Sequence, residues 1–78
     1  MKVRLKLARY GMNMEEATIT KWLKAPGEAI KTGDGLYEIE TEKVSQVVEA
    51  TGDGVFLEAL VDEDDIARVG DDVCVVEV

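Results

Sequence analysis

Leu36-Tyr37-Glu38-Ile39-Glu40, then Thr41-Glu42-Lys43, then Val44-Ser45-Gln46-Val47-Val48-Glu49-Ala50: two strand-like runs meet here with almost nothing between them. The first run alternates apolar and polar residues, the period of a half-buried strand. The second is β-branched and half polar, which also favours a strand. So short a connection makes an antiparallel hairpin, and it puts Lys43 near the tip. A lysine there is a primary amine held out in water on a rigid post. That is an ordinary place for a solvated charge. It is also what a protein needs if it is to carry a covalently tethered cofactor.

Working outward, most segments read as strands. Val3, Leu5 and Leu7 alternate with Lys2, Arg4 and Lys6, a half-buried strand. Ala8 to Glu16 reads as a loop with Gly11 and two methionines. Ala17-Thr18-Ile19-Thr20-Lys21-Trp22-Leu23 is a strand by its β-branched content. A helix over residues 13–23 competes for this segment, but the Thr-Ile-Thr run disfavours it. Turns are expected at Ala25-Pro26-Gly27-Glu28, Thr32-Gly33-Asp34-Gly35 and Thr51-Gly52-Asp53-Gly54, with further turns through the acidic stretch and at Val69-Gly70-Asp71-Asp72. Strands from Val55 to Val61 and from Val73 to Val78 complete the pattern. Simple alternation puts Trp22 with Thr18 and Thr20, opposite Ile19 and Leu23, as a packing or partly exposed ring. Tyr37 reads as structural, and Met12 and Met14 as core filler.

A repeat underlies these segments. Gly33-Asp34 recurs as Gly70-Asp71, thirty-seven positions later, and the same offset carries Ile19 to Phe56, Leu23 to Leu60, Leu36 to Val73, Ile39 to Val76 and Glu40 to Glu77. Two similar half-chains of strands predict an all-β flattened barrel or sandwich of two small antiparallel sheets with two-fold pseudo-symmetry. The symmetry mate of the Lys43 hairpin is then the place where the chain ends meet. Lys43 should stand at the pole opposite both termini.

Composition narrows the function. At 78 residues the chain is read as a single domain over 1–78. A hydrophobic share of 46% makes it globular, and only 5% aromatics leave Val, Ile, Leu and Ala to build the core. A net charge of −8 argues against nucleic acid and against anionic membrane surfaces. The run Asp62-Glu63-Asp64-Asp65 has neither the ligand spacing nor the glycine of a calcium loop. With no histidine and one cysteine, Cys74 in a late strand, there is no disulfide, no thiol zinc cluster and no ordinary general base. The Gly-Asp-Gly turns lack the Gly-Lys-Ser/Thr that follows in a phosphate loop. No run is long and apolar enough to span a bilayer, and strand-like sequence begins almost at Met1. A cytoplasmic setting is expected, or the mitochondrial matrix in a eukaryote.

Glu40-Thr41-Glu42-Lys43-Val44 resembles the attachment motif of lipoyl domains, the swinging-arm modules of 2-oxo acid dehydrogenase complexes. Two glycine spacings agree, with Gly27 sixteen residues before Lys43 and Gly54 eleven after it. Leu7-Ala8-Arg9-Tyr10-Gly11-Met12-Asn13-Met14-Glu15-Glu16 is similar to the family's opening strand and loop. The resemblance covers essentially the whole chain. Glu42 stands where aspartate is commoner, and Asp64-Asp65 where the second half often has a Gly-Asp turn. Biotin carrier domains share the fold, but their lysine is typically flanked by methionines, and here the neighbours are Glu42 and Val44.

The resemblance implies lipoate, amide-linked to Lys43, on a domain that catalyses nothing itself and is a fragment of a dihydrolipoamide acyltransferase. Glu40, Thr41, Glu42 and Val44 would be recognition marks, and Gly27 and Gly54 structural turns. Glu40 and Glu42 favour the ammonium form of a nearby lysine, so the modifying enzyme must supply the base. The implied partners are a lipoate–protein ligase or lipoyl/octanoyl transferase, a thiamine-dependent 2-oxo acid decarboxylase, an acyltransferase catalytic domain and a dihydrolipoyl dehydrogenase. The isolated domain is expected to be a monomer. The loop from Ala8 to Glu16 is expected to fold near the hairpin and to help the decarboxylase recognise its carrier. The competing readings are a biotin carrier and an unmodified β-sandwich interaction module in which Lys43 is a plain surface lysine.

Overall fold

The computed structural model describes the whole chain, residues 1–78. Eight strands follow in order: β1 (Lys2–Lys6), β2 (Glu16–Trp22), β3 (Ala29–Ile30), β4 (Gly35–Glu40), β5 (Ser45–Glu49), β6 (Gly54–Ala59), β7 (Ile66–Arg68) and β8 (Asp72–Glu77). They form two four-stranded sheets with orders β1-β8-β6-β3 and β5-β4-β2-β7. All pairings are antiparallel. Residues 13–23 hold a strand and no helix, as their β-branched content predicts.

The expected pseudo-symmetry is present in the hydrogen bonds. Gly33 N–H donates to Ala50 O and Gly70 N–H to Leu7 O; Leu23 N–H donates to Leu36 O and Leu60 N–H to Val73 O. The Asp34 carboxylate accepts from Lys31 N–H, and the Asp71 carboxylate from Arg68 N–H. Each sheet also borrows a strand from the other half. β3 pairs with β6, and β7 with β2. These two strands were not anticipated from the sequence, because two or three residues are too few to carry a period.

The core lies between the sheets. Leu7, Ile19, Leu36, Tyr37, Ile39, Phe56, Val73 and Cys74 are each at most 1% exposed, and no polar or charged residue is buried with them. Burial pushes the Cys74 thiol up to about 11, so it is a packed side chain and not a nucleophile.

Trp22 corrects the alternation reading. β2 pairs Ile19 with Ile39 but Lys21 with Glu38, so Thr20 is an extra, bulged residue. A bulge shifts the phase of every later side chain. Trp22 therefore falls on the face of Ile19 and Tyr37 and not opposite them. Its ring lies 4.9 Å from Tyr37 and 5.6 Å from Phe56, centroid to centroid. Its Nε1–H donates to Val61 O at 2.8 Å. β6 repeats the irregularity between Phe56 and Glu58.

Lys43 and the termini occupy opposite poles. β5 leads away from the hairpin to Ala50, and Ala50, Thr51 and Gly52 line a small cleft with Val76 and Val78. There Val78 N–H donates to Met1 O at 2.9 Å, and the terminal ammonium to Val78 O at 2.8 Å.

The glycines divide by role. Gly27 sits in a turn at φ 89, where its missing Cβ is needed. Gly54 was expected in a turn but opens β6, and a Cβ there would run into the Glu77 carbonyl oxygen of β8. The symmetry mate of Gly27 is Asp64, at φ 72. Aspartate tolerates this left-handed backbone better than most residues but at a cost.

These two positions should respond in opposite senses. Gly54→Ala is expected to cost roughly 2–3 kcal/mol, as the β6–β8 pairing must spread. Asp64→Gly is expected to gain about 0.5–1 kcal/mol, part of the relief being offset by the freer unfolded chain. Thermal melts check both, with roughly 4–8 °C per kcal/mol in a domain this small.

Candidate functional site

The link between β4 and β5 is held by one side chain. Thr41 N–H donates to Val44 O at 2.8 Å, closing the hairpin. The Thr41 hydroxyl oxygen then accepts from Val44 N–H at 3.1 Å and from Lys43 N–H at 3.3 Å. A local side-chain acceptor of this kind stands in for backbone carbonyls that the turn cannot present. Thr41, expected as a recognition mark, is thus the residue that shapes the turn.

Lys43 is exposed at the tip. It enters none of the ion pairs of the domain and its Nζ donates to no side chain or carbonyl. Neither Glu40 nor Glu42, both exposed, lies within ion-pair distance of it. Val44 is half-buried and roots the tip. The amine is therefore free to leave the surface, while the turn that carries it is held by three hydrogen bonds, one of them from Lys43 N–H.

The loop after β1 packs beside the hairpin, as expected. Met14 is buried in the core, and its sulfur accepts from Tyr10 N–H at 3.3 Å. Met14 N–H donates to Gly11 O at 3.1 Å, closing a tight turn. That turn throws Met12 outward, 94% exposed, so Met12 is not core filler.

A depression runs between this loop and the hairpin, and its far wall carries Asp64 and Ile66. Strand β2 causes the juxtaposition. Thr18 pairs with Glu40 at the root of the hairpin on one side and with Ile66 on the other. Residues from both half-repeats therefore meet beside Lys43. The acidic residues of the lining are Glu15, Glu16, Glu40, Glu42 and Asp64, and Lys43 is its one cation. Sequence reading missed Asp64 and Ile66, since only the short strand β7 brings them here. No group of three or more His, Cys, Asp or Glu side chains is arranged to hold a metal.

Known proteins resemble this chain in both sequence and fold. Residues 3–76 match the Biotin_lipoyl family model, described as "Biotin-requiring enzyme". The dihydrolipoyllysine-residue acetyltransferase component of the pyruvate dehydrogenase complex of Corynebacterium glutamicum is 36% identical over 74 residues. The succinyltransferase component of the 2-oxoglutarate dehydrogenase complex of Bacillus subtilis is 37% identical over 67 residues. Each match takes in 86% of this chain, but the chain spans only 11% and 16% of those relatives. The solution structure of the lipoyl domain of the Azotobacter vinelandii 2-oxoglutarate dehydrogenase complex superposes with a TM-score of 0.75 at 31% identity. That match covers 95% of this chain and 94% of that domain.

The turn chemistry is directly testable. Thr41→Val should cost about 1 kcal/mol and speed amide hydrogen exchange at Lys43 and Val44, while Thr41→Ser should keep both near the parent values. Equal exchange in the valine variant would show that the hydroxyl does not hold the turn.

Proposed function

The chain belongs to the Biotin_lipoyl family, and on that premise we propose that it is a lipoyl carrier domain, with lipoate amide-linked to Nζ of Lys43. The observation that carries the residue assignment is the free amine on a fixed turn. Lys43 is exposed and unpaired at the tip of the β4–β5 hairpin. An acyl-transferring active site can therefore take in the side chain without breaking any contact of the fold. The cofactor supplies a dithiolane on a flexible arm, which takes up an acyl group and two electrons together.

This chain's own residues present and position the amine. Thr41 fixes the tip, and the half-buried Val44 anchors it to the sheet. Modification needs the neutral amine. Nζ gives up a proton to a base of the modifying enzyme and attacks the carbonyl carbon of an activated lipoyl group. The amide C–N bond forms, and the bond to the activating group breaks with its electron pair leaving on that group. Neither Glu40 nor Glu42 pairs with Lys43, which leaves both carboxylates free for recognition by the enzyme.

The wider partners follow from the same reading. The relatives bear the names of acyltransferase components of pyruvate and 2-oxoglutarate dehydrogenase complexes. A carrier in such a complex visits a thiamine-dependent decarboxylase, an acyltransferase and a dihydrolipoyl dehydrogenase. Tethering raises the effective concentration of the arm at each. The loop carrying Met12, beside the hairpin, is the surface by which the decarboxylase would tell its own carrier from others. A biotin carrier is the related alternative, favoured by the family's description and disfavoured by Glu42 and Val44 beside the lysine.

Intact mass after incubation with a lipoate–protein ligase, lipoate and ATP decides the matter. The chain should gain one lipoyl group, and Lys43→Arg should gain none. Loss of one positive charge should also move the product on anion exchange. No gain with a ligase active on a control domain would reject the carrier reading, and a gain only with a biotin ligase would make the chain a biotin carrier.

A further inference from the structure

We infer that the enzyme acylating Lys43 docks over the depression beside the hairpin and reads Asp64 and Ile66, residues of the second half-repeat. The inference rests on the carrier function proposed above. Size makes the first argument. A specific protein interface buries roughly 800 Å² on each partner. A four-residue turn ending in an extended lysine cannot supply that area. The depression continues the surface of the hairpin and adds to what the turn presents, since Lys43 and Asp64 line the same hollow.

Apolar exposure makes the second. Ile66 is 61% exposed and Met12 is 94% exposed, and both line this hollow. Met14 beside them is buried, so this face has a packed floor with two uncovered apolar side chains. Interface centres take such side chains, with polar groups around them.

Charge makes the third and gives the partner's sign. The carboxylates of Glu15, Glu16, Glu40, Glu42 and Asp64 surround the hollow. None of them is neutralised, because every ion pair in the domain uses Asp34, Asp72, Glu28 or Glu77. The basic residues Lys2, Arg4 and Lys6 lie on β1 in the other sheet. The lysine pole therefore attracts a protein face that is basic around an apolar spot. Long-range attraction of this kind speeds encounter and weakens with salt.

Initial rates of lipoylation by a purified lipoate–protein ligase, followed by intact mass at several salt concentrations, test this. The variant is Asp64→Asn with Ile66→Thr. Asparagine accepts the left-handed backbone and threonine keeps the β-branch, so the fold is retained. Glu58→Gln, on an exposed site of β6 away from the hollow, is the control. The double variant should raise KM about tenfold with kcat little changed, and its rate should depend less on salt, while the control matches the parent. A double-variant KM within about twofold of the parent, or an equal rise in the control, would overturn the inference while leaving Lys43 as the attachment site. Failure of the parent itself to gain mass would overturn the carrier function and this inference with it.

Discussion

Ile19 and Phe56 each hold the turn of the other half-chain, and the architecture depends on that exchange. Gly27 N–H donates to Phe56 O at 2.7 Å and Phe56 N–H to Glu28 O at 2.9 Å. In the mate, Asp64 N–H donates to Ile19 O at 2.7 Å and Ile19 N–H to Asp65 O at 2.9 Å. Both side chains are at most 1% exposed. Each residue thus packs the core with its side chain while its backbone docks the opposite half. Neither half can close its sheet alone, because each sheet's fourth strand comes from the other. Such long-range pairing makes the domain one cooperative unit, and its small core has little stability in reserve.

The exchange also explains why the bulges recur. Ile19 and Phe56 end the regular part of their strands, and the pairing slips immediately after each. The slip turns Trp22 toward Tyr37 and Phe56, where its indole fills the sandwich end and satisfies Val61 O. A strand that kept its period would have put this ring into solvent. A bulge in each half lets a small sheet curl over a core poor in aromatics.

How much of this was legible follows from which features are local. The Lys43 hairpin was readable, because alternation and β-branching on both sides leave no room for anything but a turn. The pseudo-symmetry was readable too, because Gly33 and Gly70 occupy left-handed positions, at φ 91 and 95, that the chain must fill with suitable residues. The bulge at Thr20 was not, since a constant period of two is the assumption behind any alternation reading. Gly54 was located by its spacing but for the wrong cause, a turn, where the true one is the approach of Glu77 from β8. Thr41 was read as a recognition mark, and the structure adds a role the sequence did not show, its hydroxyl accepting from Lys43 and Val44 N–H. The hollow beside Lys43 was half legible. The loop could be expected there, but Asp64 and Ile66 arrive only through the pairing of β7 with β2.

The position of Lys43 follows from the symmetry more strictly than from the hairpin alone. Thr41 N–H donates to Val44 O at 2.8 Å, and at the other pole Val78 N–H donates to Met1 O at 2.9 Å. The two bonds are mates: Glu40 and Glu77 occupy equivalent places, and they pair with Ser45 and Lys2 in equivalent registers. Thr41 then corresponds to Val78, and Val44 to Met1. Glu42 and Lys43 lie between these two matched positions, at the tip of the hairpin. The strands themselves are made twice and share one frame, so a core side chain changed in one half must still fit against the other. The side chains of Glu42 and Lys43 are exposed and enter no ion pair of the domain. A covalent cofactor needs a fixed backbone and an unemployed side chain at the same point, and under the function proposed above the hairpin tip offers both at Lys43.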